Sequence, residues 1–298
     1  MSAPAKPAGT IQLFVFRGIH VYVHWSWLIV GVIALQLRSD AYTSVAWNVA
    51  EYLLLFAIVL LHEFGHALAC RSVGGQAERI LLWPLGGIAY VRPPQRPGAQ
   101  LWSLFAGPLV NLVLAPLGLG LLVLWSMVGV VPPDAESVLI TFVALNVGLF
   151  VFNMLPIYPL DGGQILRSFL WFAVGRERSL TIAAGLGLVT SIVGGLAAAI
   201  WMQSLWIGLI ALYAASQSWQ GLRSARASRE LRVMPRHTTL HCPSCRESPL
   251  AGPHWICPEE HAFDIFLADG ACPQCAAPAP ATRCIFCGSV HPVAAYRT

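Results

Sequence analysis

Six stretches of the chain are apolar over most of their length, and they are the strongest pattern in the sequence. A helix needs about 20 predominantly apolar residues to cross the core of a bilayer. The first stretch is short by that measure, and the last two run almost together. The pattern predicts an all-α polytopic membrane protein with about six transmembrane helices, at residues 22–37, 46–68, 100–128, 137–158, 180–199 and 202–219.

Two further segments alternate between apolar and polar positions, which favours strands over helices. They are residues 10–24 and residues 77–91, the second of which contains a turn-forming sequence at 84–87. We expect short membrane-associated β-strands in both places. A hairpin at 77–91 would offer a free edge for an extended peptide, or it is a structural loop folded over the bundle. Residues 162–175 are too short to cross and are predicted to form an interfacial helix.

Composition and charge place this bundle in a membrane and give it an orientation. Hydrophobic residues make up 56% of the 298 and charged residues 11%, against about 25% charged residues in a soluble domain, which excludes an ordinary soluble protein. Lys and Arg are enriched in cytoplasmic loops. If both termini lie in the cytoplasm, Arg38 is the only basic residue that falls on the external side of the membrane. The sequence therefore predicts a multi-pass protein of the plasma membrane with cytoplasmic termini.

The second apolar stretch contains the sequence HEFGH at 62–66. Residues four apart lie on one face of a helix, so His62 and His66 can share a metal ion. Glu63 follows the first histidine, where a general base would act on water at the metal. The ten residues before His62 are all aliphatic or aromatic. The pattern therefore predicts water-dependent chemistry in or near the membrane.

A catalytic zinc ion needs a third protein ligand and an open position for water. Acidic residues near the apolar stretches are few. Glu51 lies toward the opposite end of the second stretch, and Asp134 and Glu136 fall on a predicted external loop. Asp161 remains, at the inner end of the fourth stretch and at a depth similar to that of the histidines. By elimination, Asp161 is the predicted third ligand.

The sequences HEFGH at 62–66 and NMLPIYPLDGG at 153–163 together resemble the site-2 protease family of intramembrane zinc metalloproteases. The resemblance also includes GIHVYVHWSW at 18–27 and the Gly107-x-x-x-Asn111 sequence of the third stretch. It extends over roughly residues 10–215, and the tail lies outside it.

The resemblance implies that His62, His66 and Asp161 bind the catalytic zinc and that Glu63 activates the water. It also implies that prolines at 156 and 159 break the helix so that Asp161 can turn toward the metal. In this family, asparagines such as Asn153 and Asn111 are expected to handle substrate. For Asn111, a hydrogen bond between helices is an equal alternative.

The tail from 241 onward carries a second set of metal-ligand residues. Their Cys-x-x-Cys spacing predicts reduced thiolates in a small cytosolic zinc-ribbon domain with two structural zinc ions. The predicted ligands are Cys242, Cys245, Cys257, His261, Cys272, Cys275, Cys284 and Cys287. Sequential pairing and a cross-braced pairing, with the first and third ligand pairs on one metal, both remain open. His254 or His241 could also replace His261.

The chain divides into a transmembrane metalloprotease domain at 1–220, a basic juxtamembrane linker at 221–240 and the zinc-ribbon-like domain at 241–298. Five arginines in the linker suit anionic lipid headgroups, with nucleic acid as the weaker alternative. The tail itself has three arginines against five acidic residues, which disfavours nucleic acid and favours a protein partner.

We therefore expect an intramembrane zinc endopeptidase that cuts a peptide bond in or beside the transmembrane segment of a membrane-protein substrate. The alternative is a membrane-tethered zinc-ribbon adaptor in which the protease core only scaffolds a partner. A metal transporter is disfavoured because the apolar stretches lack a continuous polar path.

Overall fold

The computed structural model of the chain describes residues 6–83, 86–129 and 132–297. It divides into two compact units, Met1–Ala225 and Arg226–Thr298. The first unit contains the apolar helices and a four-stranded sheet, and the second contains the cysteine-rich tail. Each unit is described separately below.

The first unit has a sheet with strand order β1-β2-β3-β4. The β1–β2 and β3–β4 pairs are antiparallel hairpins, whereas β2 and β3 run parallel. These four strands confirm the prediction from alternation, although Pro84 and Leu85 of the predicted turn lie outside the described residues. The strands are β1 (Thr10–Phe16), β2 (Ile19–His24), β3 (Gln76–Trp83) and β4 (Gly86–Arg92).

The sheet packs on the helix that carries the HEFGH sequence. Ile19 of β2 and Ile80 and Leu82 of β3 have no exposed surface, and they form one cluster with Val59 and Ala67 of that helix. Because side chains alternate across a strand, one face of the sheet can fill this core. Strand β4 is left at one edge of the sheet.

Within the described residues, four helices are long and apolar enough to cross a membrane. They confirm the predicted stretches at 46–68, 100–128, 137–158 and 180–199. Three of them are single α-helices, and the fourth contains one π turn, Thr190–Gly194, between two α-helical parts. They are α2 (Val45–Ser72), α3 (Pro97–Val128), α4 (Pro133–Met154) and the combined helix Arg176–Trp201, made of α6 (Arg176–Val189), the π turn and α7 (Gly195–Trp201).

The other two predicted spans are not confirmed. The first predicted span, at 22–37, begins with the last residues of strand β2 and continues as α1 (Ser26–Leu37). This helix has 12 residues, which give a length of about 18 Å at about 1.5 Å per residue. Residues 202–219 fall mostly in α8 (Leu205–Val233), which does not end with the apolar stretch but continues through arginines of the predicted linker. The part of the chain that the structure describes is thus mostly helical, with four helices that are candidates to span a membrane.

The segment that carries Asp161 leaves the fourth predicted stretch early. Helix α4 ends at Met154, and α5 (Asp161–Val174) begins at Asp161. The intervening residues 155–160 contain both prolines, and each proline removes a backbone N–H donor and crowds the preceding turn, which disfavours continuation of the helix. Asp161 is therefore on the first turn of a new helix.

The second unit is built from four tight turns and two short hairpins. In each turn the first cysteine accepts a backbone hydrogen bond on its carbonyl oxygen and donates one from its N–H group. Three turns have the sequence Cys-x-x-Cys, and the fourth has Cys257-x-x-x-His261. The hairpins are β5 (Trp255–Ile256) with β6 (Ala262–Phe263), and β7 (Ala281–Arg283) with β8 (Val290–Pro292).

Asp264 connects separate parts of this unit. Its carboxylate accepts hydrogen bonds from the N–H groups of Gly252 at 2.7 Å and Phe266 at 2.9 Å, and it lies 2.9 Å from His237 Nε2. Burial raises the pKa of Asp264, but the two N–H groups and His237 outweigh it and hold the pKa below its ordinary value. The stabilisation by these contacts is therefore complete above the ordinary carboxyl pKa and is lost as the pH falls through the lowered pKa.

Replacing Asp264 with Ala should destabilise the second unit, because two partly buried N–H groups then lose their acceptor, at a cost of up to about 1–3 kcal/mol each. Hydrogen exchange of the full chain should show faster exchange across residues 250–268. Glu247→Ala is the matched control, because the exposed Glu247 side chain pairs with Arg236 at the surface, and such pairs contribute little. Equal protection in Asp264→Ala and Glu247→Ala would contradict the role given to Asp264.

Candidate metal centres

Helix α2 places both histidines and the glutamate of the HEFGH sequence inside the first unit. His62, Glu63 and His66 are 6%, 6% and 7% exposed. The two imidazole rings are one helical turn apart, with centroids separated by 4.8 Å. Three polar side chains buried in so apolar a helix require polar partners, because an unpaired polar group away from water is costly.

Asp161 is one of those partners. Its Oδ2 atom lies 3.1 Å from His62 Nε2 and 3.3 Å from His66 Nε2, and the two Nε2 atoms are 3.1 Å apart. The three atoms thus form a nearly equilateral triangle. Four-coordinate zinc with bonds of about 2.0–2.2 Å has ligand atoms about 3.3–3.5 Å apart, so the residues present fit a zinc ion.

The remaining ring nitrogens are oriented by hydrogen bonds. His62 Nδ1 lies 2.7 Å from Asn111 Oδ1, and His66 Nδ1 lies 2.8 Å from the carbonyl oxygen of Ser103. Since both partners are acceptors, each Nδ1 carries the proton and each Nε2 presents its lone pair to the centre of the triangle.

Asn111 belongs to a buried chain of amides that joins three helices. It has no exposed surface, and its Nδ2 donates to Asn146 Oδ1 at 2.9 Å. Asn146 in turn donates to the carbonyl oxygen of Phe142 at 2.9 Å. Asn146 was not singled out from the sequence, although an asparagine in the middle of the apolar stretch 137–158 was the available signal.

Gly107 on α3 leaves the space into which the ligand atoms point. A Cβ atom at this position would lie 2.2 Å from His66 Nε2 and 2.8 Å from His62 Nε2. No side chain larger than hydrogen is compatible with that approach. The close approach of both imidazoles to α3 therefore requires glycine at position 107.

Glu63 faces the edge strand β4. A Cβ atom on Gly87 would lie within 2.6 Å of the Glu63 carboxylate, and the backbone of Ala89 forms a hydrogen bond with it. The carboxylate also interacts electrostatically with His62, His66 and Asp161. Helix α2 thus presents its candidate metal ligands and its acid between the edge of the sheet and α3.

The other residues considered from the sequence lie outside this triangle. Asn153, at the end of α4, is half-buried, and no side-chain hydrogen bond is found for it among the described residues. His24 bonds to Ser26 Oγ near the start of α1. Cys70, one turn beyond His66, has no exposed surface.

The cysteine-rich unit brings its eight ligand residues into two groups, each with ligand atoms within 4.8 Å of one another. Pairs of sulfur atoms in these groups are 3.6–3.7 Å apart, and zinc–sulfur bonds of about 2.3 Å require a separation of about 3.7–3.8 Å. His261 takes part, whereas His254 and His241 do not. The groups are Cys242, Cys245, Cys284 and Cys287, and Cys257, His261, Cys272 and Cys275.

This pairing is nested, so both pairings considered from the sequence, sequential and cross-braced, are wrong. The last ligand pair returns to the first because the C-terminal segment folds back onto it: His241 N–H donates to the carbonyl oxygen of Tyr296 at 2.9 Å. Tyr296 is 1% exposed and packs in one cluster with Cys242 and Cys284. Ligand spacing alone carries no information on this long-range contact.

Replacing Gly107 with Ala should lower the zinc content by about one ion per chain, because the added methyl group occupies the space between the imidazoles. Gly120→Ala on the same helix is the control, since a Cβ there meets no atom within 4 Å. Metal analysis of the purified proteins gives the result. Full zinc content in Gly107→Ala would mean that the metal does not lie between these rings.

Comparison with known proteins agrees with this geometry. The sequence profile described as "Peptidase family M50" matches residues 50–135 and 128–194. Zinc metalloprotease MJ0392 of Methanocaldococcus jannaschii is 35% identical over 178 residues, which are 60% of this chain and 50% of that protein. Rip3 of Mycobacterium tuberculosis is 30% identical over 276 residues, covering 85% of this chain and 66% of Rip3. The chain thus spans about half to two thirds of the length of these relatives.

A solved structure gives the same result for the fold. The Site-2 Protease from Methanocaldococcus jannaschii superposes with a TM-score of 0.50 at 28% sequence identity, covering 72% of this chain and 95% of the other. The paired histidines, the apolar helices and the matched sequence lead to one conclusion: the chain is a multi-pass membrane protein that belongs to peptidase family M50, the site-2 proteases.

Proposed function

We propose that this protein is an intramembrane zinc endopeptidase that hydrolyses a peptide bond in or beside a transmembrane segment of a membrane-protein substrate. The observation that carries the proposal is the triangle of His62 Nε2, His66 Nε2 and Asp161 Oδ2, with sides of 3.1–3.3 Å, next to Glu63. Family membership supports the class of reaction, because the M50 relatives include a zinc metalloprotease.

In this proposal His62, His66 and Asp161 hold the catalytic zinc. When bound, the ion would supply Lewis acidity, polarising the scissile carbonyl group and lowering the pKa of water at the site. Glu63 accepts a proton from that water and passes it to the leaving amine. The hydrogen bonds at both Nδ1 atoms fix the orientation of the rings and the tautomer in which each Nε2 is available to a metal ion.

The position of these residues along α2 supports cleavage within the membrane. His66 lies six residues before the end of the helix at Ser72, or about 9 Å along its axis at about 1.5 Å per residue. The site would therefore lie inside one end of the span. A substrate helix must unwind there, because a helical backbone does not present its carbonyl group for attack.

The edge strand β4 is suited to hold the unwound substrate. It has one neighbour in the sheet, β3, and Gly87 and Ala89 lie against Glu63. An extended peptide added to this edge would pass the candidate catalytic residue with its backbone hydrogen-bonded to the strand. This arrangement favours the peptide-binding interpretation of the hairpin over a purely structural one.

We further propose six spans with both termini in the cytoplasm of a plasma-membrane protein. The placement of arginines supports this topology, with α1 and the apolar part of α8 as the two additional spans. The cysteine-rich unit would then be cytosolic, where thiolates stay reduced, and would hold two structural zinc ions. Its charge balance favours a protein partner over nucleic acid, while the arginines around 221–240 would contact anionic lipid headgroups.

Asn111 is better suited to position His62 than to touch substrate, because it is fully buried and its amide has two partners. Asn153 remains the candidate for substrate contact.

Replacing Glu63 with Gln should lower the rate of proteolysis about 10²–10⁴-fold, because a general base is lost, and should leave the zinc content unchanged. Membranes containing either form would be compared by mass spectrometry for membrane-protein fragments made only by the parent protein, and a protein so identified would be tested in liposomes. Glu136→Gln, on the exposed first turn of α4, is the charge-matched control. Cleavage retained by Glu63→Gln would refute the assigned role. If the cellular function of the protein survived Glu63→Gln but was lost on deletion of residues 241–298, the adaptor hypothesis would replace the protease hypothesis.

Substitutions of Asn111 and Asn153 should have different effects, one on metal binding and the other on substrate binding. Asn111→Ala should weaken zinc binding at the core site by about 10–100-fold, as loss of a group that orients a ligand does. Asn153→Ala should leave zinc binding unchanged and raise the KM for the identified substrate. Chelator titration and cleavage kinetics measure the two effects, and the opposite assignment of effects would reverse these roles.

A further inference from the structure

The position of Asp161 depends on the loop that precedes it. Residues 155–160 connect α4 to α5, and Asp161 follows directly. The metal triangle needs the carboxylate within a few tenths of an ångström of its place, yet a loop between two helices has no regular hydrogen bonding of its own. The contacts that hold this loop therefore decide whether Asp161 can serve as a ligand.

Tyr158 is the residue by which the loop is held. Its carbonyl oxygen accepts a hydrogen bond of 2.6 Å from Ser218 Oγ of α8, and Ser218 has no exposed surface. Its backbone nitrogen lies against α6, where a Cβ on Gly187 would approach it to 2.6 Å. Its ring lies against Gly221, one turn beyond Ser218.

Two helices provide small residues at this contact, which we call the Tyr158 seat, formed by Gly187 of α6 and Ser218 and Gly221 of α8. The buried residues of α8 are all small, as are those of α6, so backbone can approach backbone closely. They are Ala215, Ser218, Gly221 and Ala225 on α8, and Ser179, Ala183, Ala184 and Gly187 on α6. Larger side chains would hold the loop away from both helices.

Contacts within the loop connect the seat to Asp161. The carbonyl oxygen of Pro159, the next residue after Tyr158, accepts a hydrogen bond of 2.8 Å from the Gln164 side chain on α5. The first turn of α5 also touches the loop directly, because a Cβ on Gly163 would lie 2.5 Å from the Tyr158 nitrogen. A displacement of Tyr158 must therefore move the start of α5, where Asp161 is located.

We infer that the Tyr158 seat positions Asp161 for metal binding and that Ser218 is a positioning residue of the candidate zinc site. This inference rests on the proposed role of Asp161 as a ligand. It extends the residues that support the candidate metal site to α8. Zinc affinity at the core then depends on how α8 packs.

The test measures zinc release from the purified full-length protein under chelator challenge. Asp161→Ala serves as the reference. The kinetic phase that the parent protein shows and this variant lacks is the release of zinc from the site of His62, His66 and Asp161, which we call core zinc. Ser218→Ala should accelerate that phase about fivefold, the equivalent of one hydrogen bond of about 1 kcal/mol. Gly187→Ala should accelerate it as well, by pushing the loop away. The release of the other zinc ions should not change.

Matched controls lie on the same helices. Ser216 of α8 bonds only to its own helix at Tyr213 and is exposed, so Ser216→Ala should release core zinc at the parent rate. A Cβ on Gly185 of α6 meets no atom within 4 Å, so Gly185→Ala should do the same. Hydrogen exchange at residues 155–163 should rise in Ser218→Ala and Gly187→Ala, and in neither control.

The outcomes separate this inference from the proposed function. If Asp161→Ala released zinc with the same phases as the parent protein, the metal site itself would be wrong. If Asp161→Ala lost a phase that Ser218→Ala and Gly187→Ala left unchanged, the seat would have no positioning role and the inference would be overturned. Ser218→Ala decides the matter, because it removes one hydroxyl group and alanine favours helix.

Discussion

The first unit depends on the convergence of two imidazoles and one carboxylate from separate parts of the chain. His62 and Asp161 are 99 residues apart in sequence and 3.1 Å apart in space. Such a group is costly in an apolar bundle unless a cation compensates it or each atom is hydrogen-bonded. Here the Nδ1 atoms have acceptors, and the three remaining candidate ligand atoms face one another at 3.1–3.3 Å, close to the separation of ligand atoms around zinc.

Much of the surrounding structure can be understood as support for that convergence. The histidines come from one continuous helix, so their spacing is fixed by helical geometry. Asp161 has no such constraint, because it begins a helix after an irregular loop. Helix α3 provides Gly107 and Asn111 on one side, and α6 and α8 contact the loop on the other. The carboxylate is thus the ligand whose position depends most on tertiary packing.

The sequence was most informative where chemistry follows from local geometry. A four-residue spacing places His62 and His66 on one face, and alternation predicted the strands of the sheet beside Glu63. These two inferences depend on short-range rules that hold in any fold, which is why they could be made without coordinates. Asp161 was selected differently, by elimination and by comparing the depths of two predicted spans, and the structure places its carboxylate beside both imidazoles.

Other features depend on contacts between distant segments, and no local rule predicts them. The partner of Asn111 is Asn146 on another helix. The nested cysteine pairing arises because the end of the chain returns to His241, although the ligand residues themselves were recognisable. Hydropathy also does not give the end of α8, because the helix continues beyond the apolar residues into the arginine-rich segment.

Anomalous diffraction at the zinc edge, from crystals of the full chain, tests the central claim most directly. The cysteine groups provide internal reference peaks. We predict an additional peak about 2.0–2.2 Å from His62 Nε2, His66 Nε2 and an Asp161 carboxylate oxygen. Peaks at the cysteine groups with none between the two imidazoles, or a core peak with Asp161 turned away from it, would contradict the account.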